Sequence, residues 1–390
     1  MSRHALQQPP HRPVPRGFSL VELMVAMGLG LMLMAGLVTV FANSSQSQRE
    51  LQRTAQQIEN GRYAMDVLTQ DLHHAGYYGR YSAYTVPASL PDPCITGDAT
   101  ALAAALGSPI QGYVAADQSS KPSLTGSTCG TYLTSANLHA GSDVLVIRRA
   151  ETSVLAVGSN AVSGEVYIQT NPDTVSVQFG NGGAITTSSK ADGGAASILQ
   201  KNGNAEAIRK YRVHVYFVAP CSVPNGGGAV CTGSSDDQGR PIPTLKRLEL
   251  SVGSSGTLTF NTVPISEGVE ALKIEFGVDN SPASANASTQ LIGDGAPDLY
   301  IPNASTSSPT VTDLFNVVTA KVFLVARNTE PSVGFSDAKT YPVATPSTVM
   351  GAGTNAGTGL TYGPYNDLYK RHAYFSEVRL VNLSSRRENP

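Results

Sequence analysis

The sequence predicts an α+β chain: a long N-terminal helix, apolar in its first half and amphipathic in its second, packed on a globular head of antiparallel β-structure. Three observations carry this. Residues 18–42 are an apolar run interrupted by one charged residue, Glu22. No proline occurs from Phe18 through Val86, and beyond Leu51 the apolar residues recur in steps of three and four, the spacing of one helix face. After Gly76 come short β-branched, often alternating segments set between Gly-, Ser- and Thr-rich stretches, the pattern of strands and loops. Only 14% of the 390 residues are charged, which suits a β-rich extracytoplasmic head better than a cytosolic α/β enzyme. The formal net charge of −2 offers no basic footprint for nucleic acid, and none is expected as a partner.

Residues 1–17 carry Arg3, Arg12 and Arg16 and no acid, while Pro9, Pro10, Pro13 and Pro15 exclude a stable helix. A secretory signal would follow its apolar core with a small-residue cleavage site, and Phe41-Ala42-Asn43 is a poor one. Basic residues flank only the N-terminal side of the run, so that side is expected in the cytoplasm and the rest across the membrane. Phe18–Ala42 is 25 residues, long enough to span a bilayer core of about 30 Å at about 1.5 Å per residue. Glu22 is the anomaly. A carboxylate at the centre of a membrane helix costs roughly 2.5–3.5 kcal/mol, and less near an end. Either it stays hydrated at the interface or a cation from another chain answers it.

Residues 43–76 are the expected amphipathic half. Leu51, Ala55, Ile58, Met65, Leu68, Leu72 and Ala75 form the apolar stripe, with Arg49, Arg53, Gln56, Glu59, Arg62, Asp66 and Gln70 on the other face. Gly76 is the expected stop. In the head, 77–390, strands are expected at 143–149, 165–170, 175–179, 211–218, 245–252, 271–278, 320–327 and 375–382. In 211–218, alternation puts Tyr211, Val213, Val215 and Phe217 inward and Arg212, His214 and Tyr216 outward. Loops are expected near 97–140, 180–205, 222–240, 280–312 and 329–365.

The four cysteines, Cys94, Cys129, Cys221 and Cys231, lie outside the apolar run and fit two disulfides in an oxidising compartment. Three pairings exist. Cys94–Cys129 with Cys221–Cys231 is favoured, because each pair brackets one Gly/Pro/Ser-rich loop. Zinc is disfavoured, since no CxxC occurs and no histidine lies at ligand spacing. The sequence has no G-x-S-x-G, H-E-x-x-H or P-loop, so no catalytic residue and no enzyme activity is expected. Adjacent His73 and His74 diverge around the helix and read as a solvated helix end. His139, His214 and His372 show no triad partner. Asp279, Asn280, Asp294 and Asp298 surround a Gly-rich turn where calcium is conceivable. Their spacing fits no EF-hand and such residues favour turns without metal, so no cofactor or metal ligand is assigned.

The stretch GFSLVELMVAM (17–27) resembles the class III signal of type IV pilins and type II secretion pseudopilins. The resemblance implies that residues 1–17 are a leader removed by a prepilin peptidase between Gly17 and Phe18, that Phe18 becomes the N-methylated terminus, and that 18–42 remains as the transmembrane and assembly half of the helix. It also makes Glu22 the assembly glutamate, attracting the terminal amine of a neighbouring subunit in low dielectric. The segments 59–79, 267–279, 294–300, 316–328 and 370–383 are similar to PilW-type minor pilins, relatives of the J-type pseudopilins. The sequence departs from that pattern in lacking tryptophan, with Phe315 before the NVV segment, and in its long loops.

The resemblance implies a single-pass inner-membrane precursor with a periplasmic head, later in a pilus. It implies a minor pilin that helps prime type IV pilus assembly at the fibre tip. Expected partners are the peptidase, the inner membrane, other minor pilins, the major pilin and a large tip adhesin. The alternatives are a type II secretion minor pseudopilin, and an anchored periplasmic enzyme or adhesin.

Overall fold

A computed structural model describes residues 17–95, 99–124, 127–156, 158–185, 198–253, 257–280, 293–301, 309–344 and 360–387. The leader before Gly17 and parts of the expected loops, including 281–292 and 345–359, lie outside the described residues. The chain divides into two compact units, Met1–Gln52 and Arg53–Pro390.

α1 spans Leu20–His73 and runs unbroken through Gly28, Gly30 and Gly36. It is the one helix among the described residues long and apolar enough to cross a membrane. In the first unit its apolar side chains are exposed; Phe41, for example, is 77% exposed. The chain leaves the helix through Gly76, whose φ of +72° is open to glycine and strained for other residues.

Among its described residues the second unit contains α2 (Ala99–Ala104), α3 (Val311–Phe315), α4 (Val381–Ser384) and thirteen strands. These are β1 (Ile110–Tyr113), β2 (Val144–Ala150), β3 (Val166–Thr170), β4 (Val175–Phe179), β5 (Ile208–Ala219), β6 (Thr244–Val252), β7 (Leu258–Glu267), β8 (Val269–Val278), β9 (Leu299–Ile301), β10 (Val317–Arg327), β11 (Tyr341–Pro342), β12 (Thr361–Tyr362) and β13 (Arg371–Arg379). The strands form three antiparallel sheets. The largest has seven strands around β5, which pairs β2 along one edge and β3 and then β6 along the other. The second runs β13-β10-β8-β9, and β11-β12 is a two-residue ladder.

Each large sheet is covered on both faces. Between them lies a shared core to which α1 contributes Ala64, Leu68 and Leu72, the large sheet Leu145, Ile147 and Tyr216, and the four-stranded sheet Ile274, Phe276 and Val322. The other face of the large sheet, with Val213, Val215 and Phe217, packs on α2 and both disulfides. The other face of the four-stranded sheet, with Phe323 and Val325, packs on Tyr341, Val343 and Tyr362. A buried ion pair joins the sheets: Lys273 Nζ lies 2.5 Å from Asp143 Oδ1, and Ile274 N donates to Asp143 Oδ2 at 3.1 Å.

Three sequence expectations are corrected here. The buried face of α1 is Gln57, Gly61, Ala64, Leu68, Asp71 and Leu72, whereas Leu51 and Ile58 of the expected stripe are 70% and 40% exposed. The small residues decide it: a Cβ on Gly61 would lie 2.3 Å from Tyr374 Cε2, so only glycine lets this ring sit as it does. Gln57 is admitted because its amide donates to Ala326 O at 2.8 Å and Lys370 O at 3.1 Å. Secondly, His214 and Tyr216 face α1, not solvent. Thirdly, the last strand is Arg371–Arg379, and α4 follows where the strand was expected to continue. The alternation that ends at Arg379 gives way to a Leu380 contact with β10 through Val318 O. The strand β7 was unanticipated. Pro264 sits opposite Lys246 beside a register shift, on a strand that among the described residues pairs only with β6, where a missing N–H is tolerated.

Candidate functional site

Gly17 and Phe18 lie just before α1, and Glu22 lies in its first turn. Ser19 N donates to Glu22 Oε2 at 3.0 Å, and Glu22 N donates to Ser19 Oγ at 3.2 Å. This reciprocal pair is a capping box, which satisfies two of the donors a helix start leaves open. It gives Glu22 a local function that the charge argument alone missed, and the Ser-x-x-Glu spacing is its signal. Glu22 is exposed, as are Phe18 and the apolar residues that follow. Among the described residues only Ser19 N donates to this carboxylate, and a carboxylate on an otherwise apolar helix surface can accept a cation from outside the chain.

Within the second unit, α1 is locked to the head by a buried carboxylate. Asp71 Oδ1 accepts from Arg149 Nε at 2.5 Å, and Oδ2 accepts from Tyr216 Oη at 2.9 Å and lies 2.6 Å from His214 Nδ1. Burial alone would raise this carboxyl, but His214 and Arg149 pull it the other way and hold it below the ordinary carboxylate range. The ionised carboxylate can only accept, so Nδ1 of His214 carries the proton that it donates. Thus His214 does have an acid partner, contrary to the sequence reading. The arrangement is structural: Asp71 bonds both His214 and Tyr216, and all three are buried, with no activated nucleophile among them. His73 and His74 are exposed at the helix end, where His74 Nδ1 lies 2.8 Å from Gln70 O.

A second buried charge cluster binds β8, β13 and the segments that carry Asp337 and Asp367. Arg371 donates to Glu270 at 2.5 and 3.1 Å, to Asp337 at 3.0 Å and to Asp367 at 2.6 Å. It also stacks 3.6 Å from the centroid of Tyr365. Sequence reasoning missed it because its partners come from separate segments.

The disulfides are Cys94–Cys129 and Cys221–Cys231. Asp236, beside the second, accepts backbone N–H bonds from Asn225, Thr232 and Gly233 at 2.7–2.8 Å. The carboxylates considered for calcium are engaged within the protein: Asp279 accepts from Gly295 N at 2.9 Å and faces Arg387, Asp298 accepts from Asn280 N at 2.8 Å, and Asp294 accepts from Ala296 N at 2.9 Å. The remainder of that loop, 281–292, is outside the described residues.

Residues 14–38 match the family model described as the prokaryotic N-terminal methylation motif, which covers Gly17, Phe18 and Glu22. Residues 230–382 match that of the Type IV Pilus-assembly protein W, PilW. Over residues 230–382 the chain is thus similar to PilW, and over residues 14–38 it has the N-terminal methylation motif. The PilW match takes in Cys231, the strands from β6 to β13 and the Arg371 cluster, and ends in α4. The helix exit at 59–79 lies before it. The methylation motif implies processing by a prepilin peptidase, and with the apolar helix it is compatible with inner-membrane anchoring and a pilus. No curated protein matches the chain. Among solved structures, a type IV-like pilin from Thermus thermophilus aligns at 15% identity and a TM-score of 0.18, covering 44% of this chain and 78% of that one.

Proposed function

We propose that the chain is a minor pilin that primes type IV pilus assembly and occupies the fibre tip, with a non-enzymatic role that needs no cofactor. The observation that carries this reading is the start of α1: an exposed apolar helix surface with one carboxylate in its first turn, within a methylation motif. Such a surface demands cover, first by lipid and then by the helices of other subunits. Exchange between the two is favourable when Glu22 meets the terminal amine of a neighbour.

Size supports the tip position. The head, 77–390, far exceeds the roughly 100-residue scale of a common domain. A head of this volume crowds a tightly packed helical fibre, whereas a terminal position has a free face. In this reading the peptidase cuts between Gly17 and Phe18, and the precursor is a single-pass inner-membrane protein with its head in the periplasm. The PilW match favours the pilus over the type II secretion pseudopilus.

Immunogold labelling of an epitope-tagged chain tests the position. Label at fibre ends, with fewer surface fibres when the chain is deleted, is the expected result. Label distributed along the fibres, or an unchanged fibre number, contradicts it.

A further inference from the structure

The segment after β10 carries an apolar turn on the surface of the head. Phe335 N donates to Ser332 O at 3.2 Å, and Gly334 has a φ of +78°, the positive value that a type II turn needs at its third position. Val333 takes the second position, at the tip, and is 84% exposed. Turn tips ordinarily hold Pro, Asn, Asp or Ser, so the fold itself gains nothing from a β-branched apolar residue there. Val333 does not stand alone. Ser332 N donates to Leu368 O at 2.8 Å, which sets Leu368, itself 48% exposed, beside the turn. Lys370 Nζ lies 5.6 Å from the centroid of Phe335.

The turn is held to α1 where the second unit begins. Arg53 Nη1 donates to Pro331 O at 3.3 Å, and the same guanidinium pairs with Glu330. The neighbouring carboxylates Asp337 and Asp367 are paired with Arg371, so the acids around the tip are matched by cations of the protein. Eleven residues of α1 lead from Ala42, the end of the apolar run, to Arg53, a span of about 16 Å. The polar layer of a bilayer takes up about 5–7 Å of that distance. Val333 lies two residues beyond Pro331, a reach of up to about 7 Å more. The chain therefore tethers the tip within reach of the bilayer interface.

We propose that Val333 and Leu368 form a lipid contact, entering the interfacial layer of the bilayer that α1 crosses. The contact rests on the membrane-anchored reading of α1 and is independent of where the chain sits in a fibre. The form of the site favours lipid over a polypeptide. The tip projects, and the N–H groups of Ser332 and Phe335 are already bonded within the protein, so it has little to offer a strand or a polar side chain. An apolar tip beside an aromatic ring and a lysine is the composition that settles at a membrane interface.

The chain has no tryptophan, so a single introduced indole reports its own surroundings. The test reconstitutes the full chain in phosphatidylethanolamine–phosphatidylglycerol vesicles and compares Val333→Trp with Val154→Trp. Val154 is exposed and lies five residues after Arg149. Arg149 is bonded to Asp71, eighteen residues further along α1 than Arg53, about 27 Å away. Lipids brominated about 5–10 Å deep, where interfacial segments sit, should quench the Val333→Trp chain about twofold and leave Val154→Trp unchanged. Leu368→Asp, added to the Val333→Trp chain, should remove most of the quenching, because a carboxylate disfavours the apolar layer. The indole is common to these chains, so its own preference for interfaces does not produce the differences. A chain that does not float with the vesicles overturns the anchored reading and this contact with it. A chain that floats but is quenched equally at the two positions, or whose quenching survives Leu368→Asp, overturns the contact and leaves the anchored reading standing.

Discussion

Replacing Asp71 should loosen the grip of the head on its helix, and the size of the effect follows from what the carboxylate holds. It accepts from Arg149, His214 and Tyr216, two of which are buried. Removing one partner from a buried charge cluster costs about 3–5 kcal/mol. Arg149 retains 21% side-chain exposure and can turn part of its charge to water, so Asp71→Ala belongs at the lower end, about 3 kcal/mol. That is a roughly hundredfold change in the folding equilibrium.

The effect has a pH signature. The folded carboxyl is held below its unfolded value of about 3.9. Its contribution is therefore fully present above about pH 4 and is lost as the pH falls through the lower folded value. Urea unfolding of the full chain in detergent, followed by near-UV circular dichroism of tyrosine, measures both. Asp66→Asn serves as control, because Asp66 is not buried and its carboxylate accepts from Gln70 Nε2, one turn along the same helix, at 2.9 Å. It should shift stability by about 0.5 kcal/mol or less. If Asp71→Ala and Asp66→Asn behaved alike, or the Asp71 effect persisted undiminished well below pH 3, the idea of a buried ionised clamp would be refuted.

Other outcomes follow from the same geometry. Thiol labelling before and after reduction should find four cysteines only after reduction, and loss of either disulfide should cost on the order of 2–4 kcal/mol in the same unfolding assay. Glu22→Ala should leave membrane insertion intact and reduce the amount of chain in sheared fibres. Glu22→Gln separates its two functions, since it keeps a capping acceptor and removes the charge; full incorporation of Glu22→Gln would assign Glu22 to capping alone. Gly61→Ala should destabilise the head through its clash with Tyr374, and a double-mutant cycle should show that cost falling in a Tyr374→Ala background.

The architecture was legible where one periodicity sufficed. The helix from Leu20 and the strands at 144–150, 175–179 and 244–252 follow from runs of a single pattern. The disulfide pairing followed from local bracketing of loops. Burial was harder, because alternation in β5 reveals that it has two faces but not that both are covered. His214 and Tyr216 share one face of that strand, and Asp71 lies between Leu68 and Leu72 on the buried side of the helix. Those placements signal a polar contact once the two elements are known to meet. The Arg371 cluster draws on Glu270, Asp337 and Asp367, and no local pattern links those positions. The capping function of Glu22 is legible in the Ser-x-x-Glu spacing.

The central claim rests on the first residues of the mature chain, and N-terminal mass analysis of the protein recovered from sheared surface fibres tests it most directly. The account expects a chain that begins at N-methylated Phe18, present in the fibre fraction, and loss of that species in Gly17→Val, where a branched side chain replaces the residue with none. A chain that retains residues 1–17, one cut after Ala42, or a processed chain absent from the fibres would contradict it.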